Sequence, residues 1–321
     1  NSSISSSNQI WQWKELMTLI SMITAMIMLI PLSKTLLTFG VFKSLVKEIP
    51  KALPRQNKNS KTIFWIIFFL GALIACFSYI PMVDAAKYIF EDATNRRMTW
   101  FYPQRMNNSV MLWAAFNGII GIILFTLSFQ LFGKKHGVQS SSWGLKADSK
   151  YILKTIILSL LVFTLYYSFL FLIYYIFHVD YRFWFMGVRV FQPEMLLVLA
   201  MYAPLFFIFF FSNSLRVNGA MRIEGQPEWK SMMIAGIANS LGLFLIIIIQ
   251  YITFAKTGTV FWTTNWLSVN LLFAIVPMMF VLPYFNRYFF YMTGRVYLGP
   301  MVTTLVFIMI LSTNTVVYLP I

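Results

Sequence analysis

Stretches without a single Asp, Glu, Lys or Arg recur along this chain, at residues 16–33, 63–83, 106–133, 155–177, 195–215, 231–255, 257–286 and 296–321. About 20 apolar residues cross roughly 30 Å of hydrocarbon as an α-helix, and a helix satisfies all its backbone hydrogen bonds within one segment. The pattern predicts an all-α fold, a polytopic membrane helix bundle of about eight transmembrane helices. The spans fall near 16–39, 63–82, 109–132, 152–177, 195–213, 231–254, 262–285 and 297–318. Between them lie a basic loop at 40–62 and a loop at 84–108 that carries Trp100, Phe101, Tyr102 and Pro103 in succession. The run 257–286 is long for one crossing and holds Pro277 and Pro283, which leaves the parity of crossings open.

Composition fits this pattern. The chain is 59% hydrophobic and 11% charged, against about 25% charged in soluble domains. The longest polar intervals, 34–62 and 84–105, are shorter than the 40 or so residues an independent soluble domain needs. Cys76 is the single cysteine and lies in the second run, which excludes a disulfide framework and a cysteine metal site. Asn1 to Gln9 is polar and serine-rich without a basic start and short apolar core, so it does not read as a signal peptide. A first residue other than Met suggests a processed or truncated polypeptide.

The net charge of +15 sorts by side of the bundle rather than along a nucleic-acid footprint. With the N-terminus outside and the spans alternating, the inner loops hold most of the basic residues, from Lys34 to Lys61, Lys134 to Lys154, Arg216 to Lys230, and Arg287 with Arg295. Most acidic residues fall on the outer side. The positive-inside rule then places the chain in the cell membrane with both termini extracytoplasmic. Lys43, Lys47 and Lys51 are spaced four apart, on one helical face. Such a face suits anionic inner-leaflet lipids, although a basic inner loop also serves topology alone. The aromatic residues of the 84–108 loop fit an interfacial belt.

Inside the spans the candidate functional residues are polar, because each needs a partner that lipid does not offer. They are Asn117, Gln130, Asn239, Gln250 and Asn270. A transport route would use them, and so would helix-to-helix hydrogen bonds. Gly118 and Gly121, then Gly236, Ala238, Ser240 and Gly242, offer faces for close helix approach. No Asp, Glu, Lys or Arg sits mid-span, which weakens an ion-coupled carrier. The two halves show no repeat, and no phosphate-binding loop of the G-x-x-x-x-G-K-[ST] kind occurs.

Recognisable catalytic patterns are missing too. The two histidines, His136 and His178, belong to no H-E-x-x-H, and there is no G-x-S-x-G elbow. His178, Asp180 and Arg182 form the one local cluster resembling a site, in an outer loop and without an evident nucleophile. An interfacial hydrogen-bonded turn is the favoured account, because His and Asp at a helix end beside aromatic residues need no special role. No catalytic, metal or cofactor residue is assigned, and no cofactor is expected.

Four segments carry a resemblance: Gln9 Ile10 Trp11 Gln12 Trp13 Lys14 Glu15; Phe101 Tyr102 Pro103 Gln104 through Asn117 Gly118; Val179 Asp180 Tyr181 Arg182 Phe183 Trp184; and Tyr291 Met292 Thr293 Gly294 Arg295 Val296 Tyr297 Leu298 Gly299. Together they resemble the C-terminal multi-pass membrane region of bacterial membrane-bound α/β-hydrolase family proteins. The resemblance implies an upstream signal anchor and an extracytoplasmic serine hydrolase domain, with this region as its anchoring or substrate-guiding membrane part. That hydrolase domain lies outside this chain, so no catalytic residue carries over. Two readings stay open beside it: a permease-like subunit for a hydrophobic or peptide substrate, and a non-catalytic partner subunit that assembles through the small-residue faces.

Overall fold

The computed structural model describes residues 27–50, 104–128, 143–177, 193–220 and 276–314, with isolated helical positions at 69–70, 73–74, 130, 229–230, 232–233, 236–237, 248 and 252. Helices α1 (Ile27–Thr38) and α2 (Gly40–Lys43) come first. They are followed by α3 (Gln104–Ser128), α4 (Ser149–Phe177) and α5 (Pro193–Leu215). A π-helical turn, Arg216–Ala220, continues α5. Helices α6 (Val276–Thr293) and α7 (Leu298–Asn314) close the order. The fold is all-α, with no strand among the described residues.

The ends of these helices follow from local chemistry. Pro193 opens α5, and Pro277 and Pro300 sit in the first turns of α6 and α7, where a missing N–H removes no helical hydrogen bond. Asp148 caps α4, its Oδ1 accepting the Tyr151 N–H at 2.9 Å. Gly294 ends α6 in the left-handed conformation, φ 63°, and its N–H bonds Phe290 O at 2.7 Å.

Helix α4 shows an unusual distribution of polarity. Its buried face carries Tyr151, Thr155, Leu158, Ser159, Val162 and Tyr166, while Leu153, Ile156, Ile157, Leu160, Leu161, Leu165, Phe169, Leu172 and Ile176 are exposed. Both sets recur at helical spacing, so one face is apolar outward and the other partly polar inward. The hydroxyls of Thr155 and Ser159 bond back to Tyr151 O and Ile156 O, at 2.8 Å each. At 29 residues the helix is about 44 Å long. Among the described residues its Ser149–Tyr166 stretch is the one long and apolar enough to cross a membrane; the apolar helices Ile27–Thr38 and Ala115–Leu127 are shorter.

Helix α5 is the packing centre, in contact with α3, α6 and α7, and α7 also packs on α4. Phe206, Phe209 and Phe210 of α5 are buried, as are Phe285, Phe289 and Phe290 of α6 and Val302 and Val306 of α7. Phe211 stacks on Tyr297 with ring centroids 5.6 Å apart, and Phe125 meets Trp143 edge-on at 4.5 Å. Helix α6 runs eight residues past the predicted end of its span at 285. Asn286 and Arg287 therefore stand on a helix rather than in a loop. Helix α3 likewise starts at Gln104, inside the predicted 84–108 loop.

Candidate functional site

At one end of the bundle the sequence S-N-S-L-R-V-N, residues 212–218, takes α5 into its π-helical turn. Ser212, Asn213, Ser214, Arg216 and Asn218 are all buried there. Helix α3 makes room for them through two glycines. A Cβ on Gly118 would stand 2.8 Å from the Ile208 carbonyl, and one on Gly121 would collide with Ser212 Oγ. The Arg216 guanidinium carbon lies 3.6 Å from that same Gly121 position. Two small residues thus bring α3 against the α5 backbone. Burial pushes the Arg216 guanidinium down to about 10. It therefore keeps its charge at neutral pH.

Amide side chains join α5, the π turn and α6. Asn286 Nδ2 donates to Asn213 Oδ1 at 2.9 Å. Asn218 Nδ2 lies 3.1 Å from Ser214 Oγ and 3.4 Å from Asn286 O. Ser214 Oγ in turn donates to Val296 O at 3.1 Å, which reaches the entry to α7. Gly299 lets α7 approach, since a Cβ there would stand 2.7 Å from Asn286 Oδ1. Beside this group Arg287 NH2 donates to Tyr291 OH at 2.8 Å, with the guanidinium 4.5 Å from the Tyr291 ring centre. Ser212 Oγ, Asn218 Oδ1, Asn286 Oδ1 and Thr304 Oγ1 are buried without a hydrogen-bond partner among the described residues.

Three further segments close over this end. Gly294 meets the backbone of 47–48 so tightly that a Cβ would be 2.8 Å from Lys47 O and 2.6 Å from Glu48 O. Gly144, φ 70°, would bring a Cβ 2.8 Å from Gly294 O. Both glycines therefore combine a positive φ with close backbone approach. Hydrogen bonds link the same segments: Lys47 N–H to Thr293 O at 3.2 Å, Arg295 Nε to Lys146 O at 2.7 Å, Tyr297 OH to Leu145 O at 2.8 Å and Lys154 Nζ to Ser44 Oγ at 2.8 Å. Residues 44–50, 143–150, 212–218 and 286–297 thus meet at one end.

Two of the sequence-predicted candidates fall among the described residues. Asn117 is half-buried on α3 beside Gly118, and Gln130 is exposed. Asn239, Gln250, Asn270, His178, Asp180 and Arg182 fall outside the described residues, as does Cys76. The buried amides Asn213, Asn218 and Asn286, with Arg216 and Arg287, are functional candidates that the structure brings out. The signal for them was present in the close spacing of Ser212, Asn213, Ser214, Arg216 and Asn218, at the end of a run rather than in its middle.

The junction's chemistry is that of hydroxyls, amides and guanidinium groups. Among the described residues no group of three His, Cys, Asp or Glu side chains is placed to hold a metal ion. No protein-family model, curated protein or solved structure matches the chain.

Proposed function

We propose that the chain is a multi-pass membrane domain of about eight helices that anchors, and guides substrate toward, an extracytoplasmic hydrolase module of α/β-hydrolase type. In this reading the chain supplies scaffold and lipid contact while the hydrolytic chemistry belongs to the module. The observation that carries the membrane part of this reading is the polarity of α4, which turns Leu, Ile and Phe outward along its length and keeps Thr155 and Ser159 inward; the hydrolase part rests on the resemblance. In water such a face would hold a large apolar area exposed, whereas in lipid it is the face that needs no partner. Buried amide-to-amide bonds between helices, as in Asn286 to Asn213, suit the same medium.

The meeting of 44–50, 143–150, 212–218 and 286–297 adds support for the topology. Alternation of the eight spans puts these four segments on one side of the membrane, and segments that meet at one end of a bundle fit that grouping. The inner side follows from their Lys and Arg content. Alkaline carbonate washing of membranes tests the membrane reading, with the chain expected in the pellet. The hydrolase reading is tested by expressing this region alone: it should be silent toward ester and peptide substrates, and turnover abolished by His178→Ala would contradict it.

One observation favours the permease-like alternative. Ser212 Oγ, Asn218 Oδ1 and Asn286 Oδ1 are buried acceptors with no donor among the described residues, and such groups could face a polar substrate path. Uptake assays in proteoliposomes separate the two readings. Peptide flux lost in Asn218→Leu would favour the permease; no flux in either protein favours the scaffold.

A further inference from the structure

Residues 39–49 interleave apolar and basic side chains in a way that the bundle itself does not use. Phe42 and Leu45 are buried, but Phe39 is 57% exposed and Val41 67%, and Val46 and Ile49 are exposed too. Lys43 and Lys47 stand exposed between them. Apolar groups such as Phe39 and Val41 call for an apolar medium, and the lysines call for water or an anion. The boundary between acyl chains and headgroups offers both within a few ångströms.

The fold then brings other basic residues to the same rim. Arg295 Nε is bonded to Lys146 O at 2.7 Å, Lys47 N–H to Thr293 O at 3.2 Å, and Lys154 Nζ to Ser44 Oγ at 2.8 Å. These contacts place the 43–47, 146–154 and 295 segments side by side although they are far apart in sequence. Lys146 and Lys150 are exposed. The described carboxylates on this rim are Glu48 and Asp148, and Asp148 is engaged in capping α4 at 2.9 Å. The balance of charge therefore favours an anion, and the neighbouring apolar side chains favour one that carries acyl chains.

We infer that this rim is a binding site for an anionic phospholipid, its phosphate held among Lys43, Lys47, Lys146 and Arg295 and its acyl chains lying along Phe39 and Val41. The inference rests on the membrane reading proposed above and adds a defined partner to it. Diffuse attraction to a charged leaflet would spread over all inner basic residues; a site depends on this subset.

Native mass spectrometry of the full chain in neutral detergent, titrated with phosphatidylglycerol and with phosphatidylcholine, tests it. The expected result is a preference for phosphatidylglycerol of roughly tenfold or more that falls severalfold in Lys43→Gln/Lys47→Gln/Lys146→Gln and persists in Lys230→Gln. Excess inorganic phosphate should leave the bound lipid in place. Equal affinity for the two lipids, equal loss in Lys230→Gln, or displacement by inorganic phosphate would each overturn the site. An unchanged melting temperature of the triple variant in phosphatidylcholine separates lost binding from lost folding. Should the chain leave membranes on carbonate washing, the membrane reading itself fails; a membrane-bound chain indifferent to phosphatidylglycerol removes the lipid site alone.

Discussion

Replacing Gly294 by alanine should loosen the whole junction, because that residue satisfies two demands at once. Its φ of 63° is a conformation that costs an L-residue about 1–2 kcal/mol. A Cβ would also stand 2.6 Å from Glu48 O and 2.8 Å from Lys47 O. Both are backbone atoms, so relief requires the 44–50 segment to move rather than a side chain to rotate. That movement would open the 3.2 Å bond from Lys47 N–H to Thr293 O, a contact worth about 0.5–1.5 kcal/mol. Together the terms predict a loss of about 1.5–3.5 kcal/mol. In a thermal-unfolding assay this corresponds, for 321 residues, to a melting point lower by roughly 2–5 °C. Gly40→Ala is the matched control, since a Cβ there meets nothing within 4 Å, and it should melt with the parent protein. Gly144→Ala strains the adjoining contact, its Cβ meeting Gly294 O, so the double variant with Gly294→Ala should lose less than the two single losses combined. A Gly294→Ala protein melting within about 1 °C of the parent would refute the close approach of 47–48 to 294.

Other substitutions probe separate parts of the structure. Asn286→Leu leaves Asn213 Oδ1 buried without its 2.9 Å donor and should cost about 1–3 kcal/mol in detergent unfolding, with Asn213→Leu/Asn286→Leu recovering part of the loss. Gly118→Leu should push α3 from the Ile208 backbone; a cysteine pair placed across α3 and α5 should then cross-link less completely than in the parent. Tyr297→Phe removes the 2.8 Å bond to Leu145 O and should lower stability by about 0.5–1.5 kcal/mol, measured by the same thermal assay. Asp148→Ala deletes the cap of α4 at a cost of about 1 kcal/mol, which Asp148→Asn should largely avoid.

The parts of the fold that the sequence made legible are those set by one-dimensional patterns. Uncharged runs gave helices, with α4 covering the predicted 152–177 span and α5 the 195–213 span. The small residues Gly118 and Gly121 do mark a face of close approach, to Ile208 and Ser212. The polar junction was less visible for a physical reason. Residues costly in lipid stand out in the middle of each run, where Asn117 is half-buried and Gln130 exposed. The amides that tie helices together stand instead where α5 and α6 leave their apolar runs. There Arg216 and Arg287 read as ordinary inner-loop charges, yet both are buried on helical turns. That Gly294 faces Lys47 and Gly144 depends on contacts between distant segments, which spacing along one chain does not encode.

In the proposed membrane bundle the four basic segments share the cytoplasmic side. Single cysteines at Lys47, Lys146 and Thr94, introduced into a Cys76→Ser background and labelled with an impermeant maleimide in intact cells, test it most directly. The account predicts that Thr94→Cys labels in whole cells, whereas Lys47→Cys and Lys146→Cys label only after the membrane is opened. Labelling of Lys47→Cys and Lys146→Cys from opposite sides would contradict it.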